Sequence, residues 1–457
     1  QVTVDASLAS GPIVLGSLPP GSPLEGFTSG ILEVSMDVKG RGLDMKTWQY
    51  NGWIAITDGM LAPKGIEAPL SNLYLRTQLV RNRADVKRLA FRIKDSDVRL
   101  SGTIKNWNTA PKIDVTIESY QFDLDLLIPK GARSPVRDLL ETLAAGSNTT
   151  ATLTFDRGLY KELVFTDLSV QVHLRDGALY VDQMAGETSG GQVNGRLAVR
   201  LPRQKSAAIE ASFNIAGVPF EKVLLLAGDE SRMVTGGLTA TGTLRGSGDE
   251  ARGILASLNG KVDFSIRKGR VQKGTVLPKI IGMLNLPALL AGQVDLSRDG
   301  FPFDKITGSM VIKDGLVQED ELVVDSPIVK MSAAGTYDIP SDQLNSVVAV
   351  SPFGSYSSAL KSIPLFGRIF AGERKGLLTA IFEVRGSPKN PEVTYRPIDS
   401  LTTGLGGLAQ LAIDVLKNTL TLPLDLMSPD GEKPSPDTSP SAMERGRMPD
   451  APVPVVP

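Results

Sequence analysis

Apolar and polar residues alternate along most of this chain. Leu168, Val170, Val172 and Leu174 are interleaved with Ser169, Gln171, His173 and Arg175. The same period of two carries Val98, Leu100 and Ile104, then Ile113, Val115 and Ile117, then Ile209, Ala211, Phe213 and Ile215. Successive side chains of a strand point to opposite faces, so each segment predicts an antiparallel strand with one dry and one wet face. Asp58-Gly59, Asp176-Gly177, Asn259-Gly260, Lys268-Gly269 and Asp314-Gly315 punctuate the pattern. They predict tight turns, because Asp, Asn and Gly tolerate positive φ. The pattern yields roughly twenty strand-like segments.

Helical patterns are fewer and shorter. Ser134 and Pro135 suit a helix start, Val136, Leu139, Leu140 and Leu143 supply its apolar face, and Gly146 suits its end. Short apolar helices are predicted at 219–227, 275–291 and 357–370, and a last helix within 401–427. In that last helix Leu408, Leu411, Ala412, Val415, Leu416 and Thr419 fall near one face. Residues 428–457 carry eight prolines in 30 residues and read as a disordered Pro-rich tail.

The pattern repeats. The segment from Phe165 aligns with that from Phe303, so that Asp176-Gly177 falls on Asp314-Gly315, and a looser copy begins at Leu70. The three copies are offset by 95 and 138 residues, at Asn72, Asp167 and Lys305. Such units cannot bury their faces alone, so neighbours are expected to join into one quasi-linear sheet. A one-sided sheet needs a second layer. A second sheet would make a sandwich, and the helices are too few to cover so much strand. Periodicity leaves a sandwich or an ordinary β-solenoid open; the third solution is a sheet that curls and leaves a dry groove, too large for an ordinary apolar patch and suited to an apolar occupant. A strand of about nine residues is roughly 30 Å long, wide enough to receive acyl chains.

Composition narrows the chemistry. Among 457 residues, 49 basic against 50 acidic side chains give a net charge of −1, which offers no electrostatic basis for nucleic-acid binding. The absence of Cys excludes disulfides, thiolate catalysis and Cys-ligated zinc. One His excludes two-His metal motifs and leaves His173 reading as an exposed residue on a wet face. Gly246 and Gly248 read as a glycine-rich hairpin rather than a cofactor loop, and Glu319, Asp320 and Glu321 as a solvated turn rather than a cation site. No catalytic constellation, metal site or cofactor is expected. The chain starts at Gln1 and holds no long uninterrupted apolar run, so any membrane anchor is expected upstream.

Three segments carry a resemblance. TGTLRGSGDEARGILASLNGKVDFSIRKGRVQKGTVL (241–277), GFPFDKITGSMVIKDGLVQEDELVVDSPIVKMSAAGTYDI (300–339) and GLLTAIFEVRGSPKNPEVTYRP (376–397) resemble, in order, the signature of the AsmA-like family, which includes AsmA, TamB and YhdP. The last ends in Gly386, Pro388 and Pro391, like the family's closing hairpin. The likeness is clear from about Leu159 to Pro397, and residues 1–158 match only in style. The resemblance implies a groove-like β protein of the bacterial periplasm, anchored in the inner membrane by an N-terminal helix and implicated in phospholipid transport to the outer membrane. The expected architecture is a mainly β, elongated, curled antiparallel sheet. It has a β-groove repeat region at 1–158, an AsmA-like groove region at 159–400 and a few short apolar helices.

The expected function is a non-enzymatic lipid-transfer conduit between inner and outer membranes, with phospholipid, both membranes and an envelope protein as partners. The alternative is an outer-membrane assembly factor or periplasmic scaffold that binds proteins by strand addition. Candidate lipid-contacting residues are Leu168, Val170, Val172, Leu174, Val181, Leu197, Val199, Ile209 and Phe213. Candidate membrane-contacting residues are Leu286, Leu289, Leu290, Leu365, Phe366 and Phe370, since the helices holding them carry more large apolar side chains than a short cap needs.

Overall fold

A computed structural model describes residues 3–19, 21–22, 24–42, 47–63, 68–126, 135–200, 207–226, 233–272, 276–284, 300–327, 329–352, 380–397 and 403–421. The expected helix at 357–370, the tail at 428–457 and all six candidate membrane-contacting residues lie outside these. Residues 1–417 form one compact unit.

The described strands form one 21-stranded sheet. Hydrogen-bonded neighbours follow chain order from β3 (Phe27–Arg41) to β21 (Glu392–Arg396). The short β1 (Thr3–Ala9) and β2 (Ile13–Val14) both pair with β3 at its outer edge. Among the described pairings none joins β21 back to β1, so the sheet is open. Every neighbouring pair is antiparallel except β8 (Lys112–Asp123) with β9 (Asn148–Tyr160), which run parallel. A parallel pair needs a crossover connection, and here it contains a 3₁₀ turn at Leu124–Leu126 and helix α1 (Pro135–Gly146).

The turn signals divide into two groups. Asp176 and Gly177 have φ of 52° and 72° and link β10 (Leu163–Arg175) to β11 (Ala178–Thr188). Asp314 and Gly315, at 47° and 74°, link β16 (Phe301–Lys313) to β17 (Leu316–Asp325). Asp58-Gly59 and Lys268-Gly269, read as turns in the sequence, instead lie inside β4 (Gln49–Leu61) and β15 (Asn259–Val271), and Asn259-Gly260 opens β15. Asp58 and Lys268 are left-handed at φ 49° and 51°, the local signature of a bulge rather than a chain reversal.

Helix α2 (Phe220–Leu226) matches the expectation for 219–227, and α3 (Ala251–Ala256) was not anticipated. Helix α4 (Val276–Met283) occupies the first part of the expected 275–291, and 285–299 lie outside the described residues. Helix α5 (Thr403–Thr421) lies within the expected 401–427. Its buried residues are Ala409, Ala412 and Leu416, whereas Leu411, assigned to its apolar face, is exposed. The small alanines let the helix approach the sheet closely: Ala409 packs with Val347 and Ile381, and Ser332 Oγ donates to the Ala412 carbonyl.

The repeat is visible as a register irregularity. Between Val86 and Leu89, Val181 and Met184, and Glu319 and Leu322, two residues on one strand face one on the next. These sites sit 95 and 138 residues apart, the offsets of the sequence repeat.

Candidate functional site

The register assembles one face of the sheet from the apolar half of each strand. One cross-strand row starts at Leu32 and passes through Ile56, Leu75, Leu89, Leu100 and Ile117. It crosses the parallel joint to Leu153 and continues through Val170, Met184, Gly195 and Phe213. It then runs through Gly242, Val262, Met310, Glu319, Gly335, Ser346, Val384 and Val393. From β3 to β21, the row is apolar or glycine at every position except Glu319 and Ser346. A slip of one residue would turn a strand's apolar set to the other face, so this continuity requires every register to agree.

All nine candidate lipid-contacting residues share this face. Leu174 pairs through Leu179 and Val199 to Ile209; Val172 pairs through Val181 to Leu197; Val170 and Phe213 lie in the row described above. Leu168 pairs with Phe155 in the neighbouring strand. Leu168 and Leu174 are buried, and the other seven are half-buried. A recess of about 430 Å³ beside Val199 and Ile209 is lined by Tyr180, Ala198, Glu210 and Arg245, a cross-strand row that alternates with the wall. On the opposite face Gln171 and Arg175 are exposed, and the His173 imidazole Nδ1 meets the Asp182 carboxylate.

Small cores close over this face at three places. Leu15 packs on Ile56 and Leu73; Leu124 and Leu126 pack near Phe122, Phe155 and Leu168. The largest core lies at the C-terminal strands, where Ile280 and Leu284 sit with Phe301, Phe303, Met331 and Phe382. Helix α4 is tied there by Lys279 Nζ, which donates to the Pro391 carbonyl at 2.6 Å and to Asn390 Oδ1 at 3.3 Å. Two glycines in this region make room for neighbours. A Cβ at Gly242 would come within 2.8 Å of the Phe213 ring, and one at Gly308 within 2.6 Å of Glu319 Oε2 and 2.8 Å of Phe264.

Beside the largest core lies a cavity of about 570 Å³, within the range of small-molecule sites. Phe264, Val276, Ile306, Met310 and Val324 are among its walls, and among the described residues Glu319 is its only charged lining residue. Glu319 Oε1 accepts from the Glu321 N–H at 2.8 Å, while Oε2 is buried without a hydrogen-bond partner. Burial raises the Glu319 carboxyl above the ordinary carboxylate range. Asp320 and Glu321 push the same way, against the backbone N–H groups of Glu321 and Ser309. At the cavity margin the Tyr337 hydroxyl donates to Asp342 at 2.8 Å, and burial, then that bond, push the phenol up to about 12.

Among the described residues no group of His, Cys, Asp and Glu could hold a metal ion, and no helix is long and apolar enough to cross a membrane.

A family model described as YhdP protein matches residues 32–393. The chain belongs to the YhdP family. The match begins at Leu32 and ends at Val393, the two ends of the apolar row, and so reaches well into the region that matched only in style on sequence reading. YhdP proteins form a family of the AsmA type, associated with lipid transport in the bacterial envelope. No curated protein matches the chain. No solved structure matches it.

Sequence reading missed two things in this site. The N-terminal part of the row, from Leu32 to Leu89, has no candidate lipid-contacting residue in the sequence reading, because its wall positions emerge only once strands are paired. Glu319 was read as part of a solvated turn, although the repeat offset of 138 places it on Val181, a wall position.

Proposed function

We propose that this sheet is the wall of a passive conduit that moves phospholipid between the inner and outer membranes of the bacterial envelope, working in the periplasm and catalysing no reaction. The observation that carries this reading is the unbroken cross-strand row from Leu32 to Val393, most of it half-buried. Acyl chains would lie against the wall, Leu168, Val170, Val172, Leu174, Val181, Leu197, Val199, Ile209 and Phe213 included, while headgroups stay in water at the rim. Burial of apolar area is non-directional and additive, at about 25 cal/mol per Å². A wall of aliphatic side chains therefore holds a chain without one deep well, and lipid can slide. Direction would come from the membranes or from an energy-using envelope protein partner.

On sequence grounds, Leu286, Leu289, Leu290, Leu365, Phe366 and Phe370 are proposed to touch a membrane. Two or three such side chains, at roughly 1.5–3 kcal/mol each when fully buried, suit reversible contact. Flotation with liposomes, comparing wild type with a variant carrying Ser at Leu289, Leu290, Phe366 and Phe370, checks this. Wild type is expected to float and the variant to sink.

Native mass spectrometry of the purified protein, followed by transfer of a labelled phospholipid between donor and acceptor vesicles, tests the conduit itself. Bound phospholipid and accelerated transfer are expected. A folded protein that holds no lipid and transfers none would refute the reading and favour the scaffold alternative, which would use the open sheet edges at β1 and β21.

A further inference from the structure

Glu319 stands where the wall should be apolar. Its repeat equivalents are Val86 and Val181, at the same step of the same register irregularity. In the row it is flanked by Met310 and Gly335. Gly308, by lacking a Cβ, leaves the space into which both the Glu319 carboxyl and the Phe264 ring extend. An acid placed here costs desolvation, since Oε2 is buried with no partner in a cavity that has no other charged lining among the described residues. A valine at this position would be compatible with the fold, as the other two copies demonstrate.

The geometry points to a selective seat in the conduit: the cavity beneath Phe264 and Val276 takes an amphiphile whose headgroup carries a primary ammonium, which donates to Glu319 Oε2 while its apolar part rests on the wall. This rests on the conduit reading and names its preferred cargo class. An ammonium supplies both things the site lacks, an N–H donor for the orphan oxygen and a positive charge beside the acid. The adjacent aromatic ring is a further favourable neighbour for a cation. An anionic headgroup without an amine would instead set like charges together in a low-dielectric space. Such a difference in affinities is what specificity consists of.

The test equilibrates the full chain with vesicles made of equal parts phosphatidylethanolamine and phosphatidylglycerol, re-isolates it and quantifies each bound lipid. Wild type is expected to hold phosphatidylethanolamine about tenfold over phosphatidylglycerol, the equivalent of 1.4 kcal/mol. Glu319→Val, which restores the repeat residue, and Glu319→Gln, which keeps the shape without the charge, should both hold the two lipids in the vesicle ratio, with an intact melting transition. A wild type that mirrors the vesicle ratio overturns the inference and leaves the conduit standing. So does a preference that both variants retain. A wild type that takes up neither lipid overturns the conduit reading, and the ammonium seat with it.

Discussion

At the scale of single residues, neighbours one position apart should behave oppositely. Val170 and Val172 belong to the apolar face, Gln171 and His173 to the other. Val170→Asp or Val172→Asp should abolish lipid transfer, whereas Gln171→Asp and His173→Asp should leave it near the wild-type rate. A carboxylate on the wall also costs several kcal/mol of desolvation, so retained circular dichroism and a retained melting transition must accompany the loss. Glu319 gives a second prediction, in stability. Its carboxyl is raised by burial, so the folded state binds more protons than the unfolded state above the ordinary carboxylate range. Unfolding free energy should therefore fall as pH rises through that window, and Glu319→Val should flatten the slope. Parallel denaturant titrations at several pH values would measure it. Alternation made the face of Val170 legible in the sequence. The face of Glu319 is hidden from alternation, because three consecutive acids look alike to periodicity; the repeat offset onto Val181 and the pairing with Gly335 and Met310 separate the first from the other two.

At the scale of elements, strands were readable and their ends were less so. Period two is a property of the strand alone, but Asp-Gly signals both a turn and a bulge, since each needs a left-handed residue. At Asp176 the chain reverses; at Asp58 it continues, because β4 goes on pairing to Leu61. Helix α5 illustrates the same limit. Its large apolar residues suggested the buried face, yet close approach to the strands around Ser332 favours Ala409 and Ala412, and Leu411 is left outside. Leu416, at 1% exposure, is its large buried anchor. Leu416→Ala should cost about 2–5 kcal/mol if the helix unfolds together with the sheet, and Leu411→Ser should change little. Denaturant midpoints for the two variants, with hydrogen exchange along β18 (Val329–Asp338), would show the difference.

At the scale of the molecule, the sheet makes a claim that no single strand makes. A local binding pocket would be harmed only by changes near it, whereas a conduit fails wherever it is interrupted. Leu75→Asp, Val170→Asp and Val262→Asp lie on strands well separated along one row. Each should block transfer to a similar extent, while native mass spectrometry still finds lipid on the uninterrupted remainder. Loss confined to one variant would point to a site rather than a path. The sequence repeat announced that such a sheet exists, but its continuity depends on about twenty registers agreeing at once. No single-strand pattern contains that information.

The parallel joint between β8 and β9 has a consequence for assembly. Each pair across it is thirty-six residues apart, as Lys112 is from Asn148, whereas the β10–β11 hairpin closes through Asp176-Gly177. Closing a longer loop forfeits more chain entropy before any contact rewards it. Most strands on either side can zip from local hairpins, whereas the pairings that start at Val271–Phe301 and Val350–Ala380 also close long stretches, so the polypeptide should gain its structure in separately nucleated blocks that fuse at these joints and at the parallel one. The parallel seam should be among the last stretches to acquire amide protection during refolding, and among the first to part when the blocks on either side of it are pulled in opposite directions.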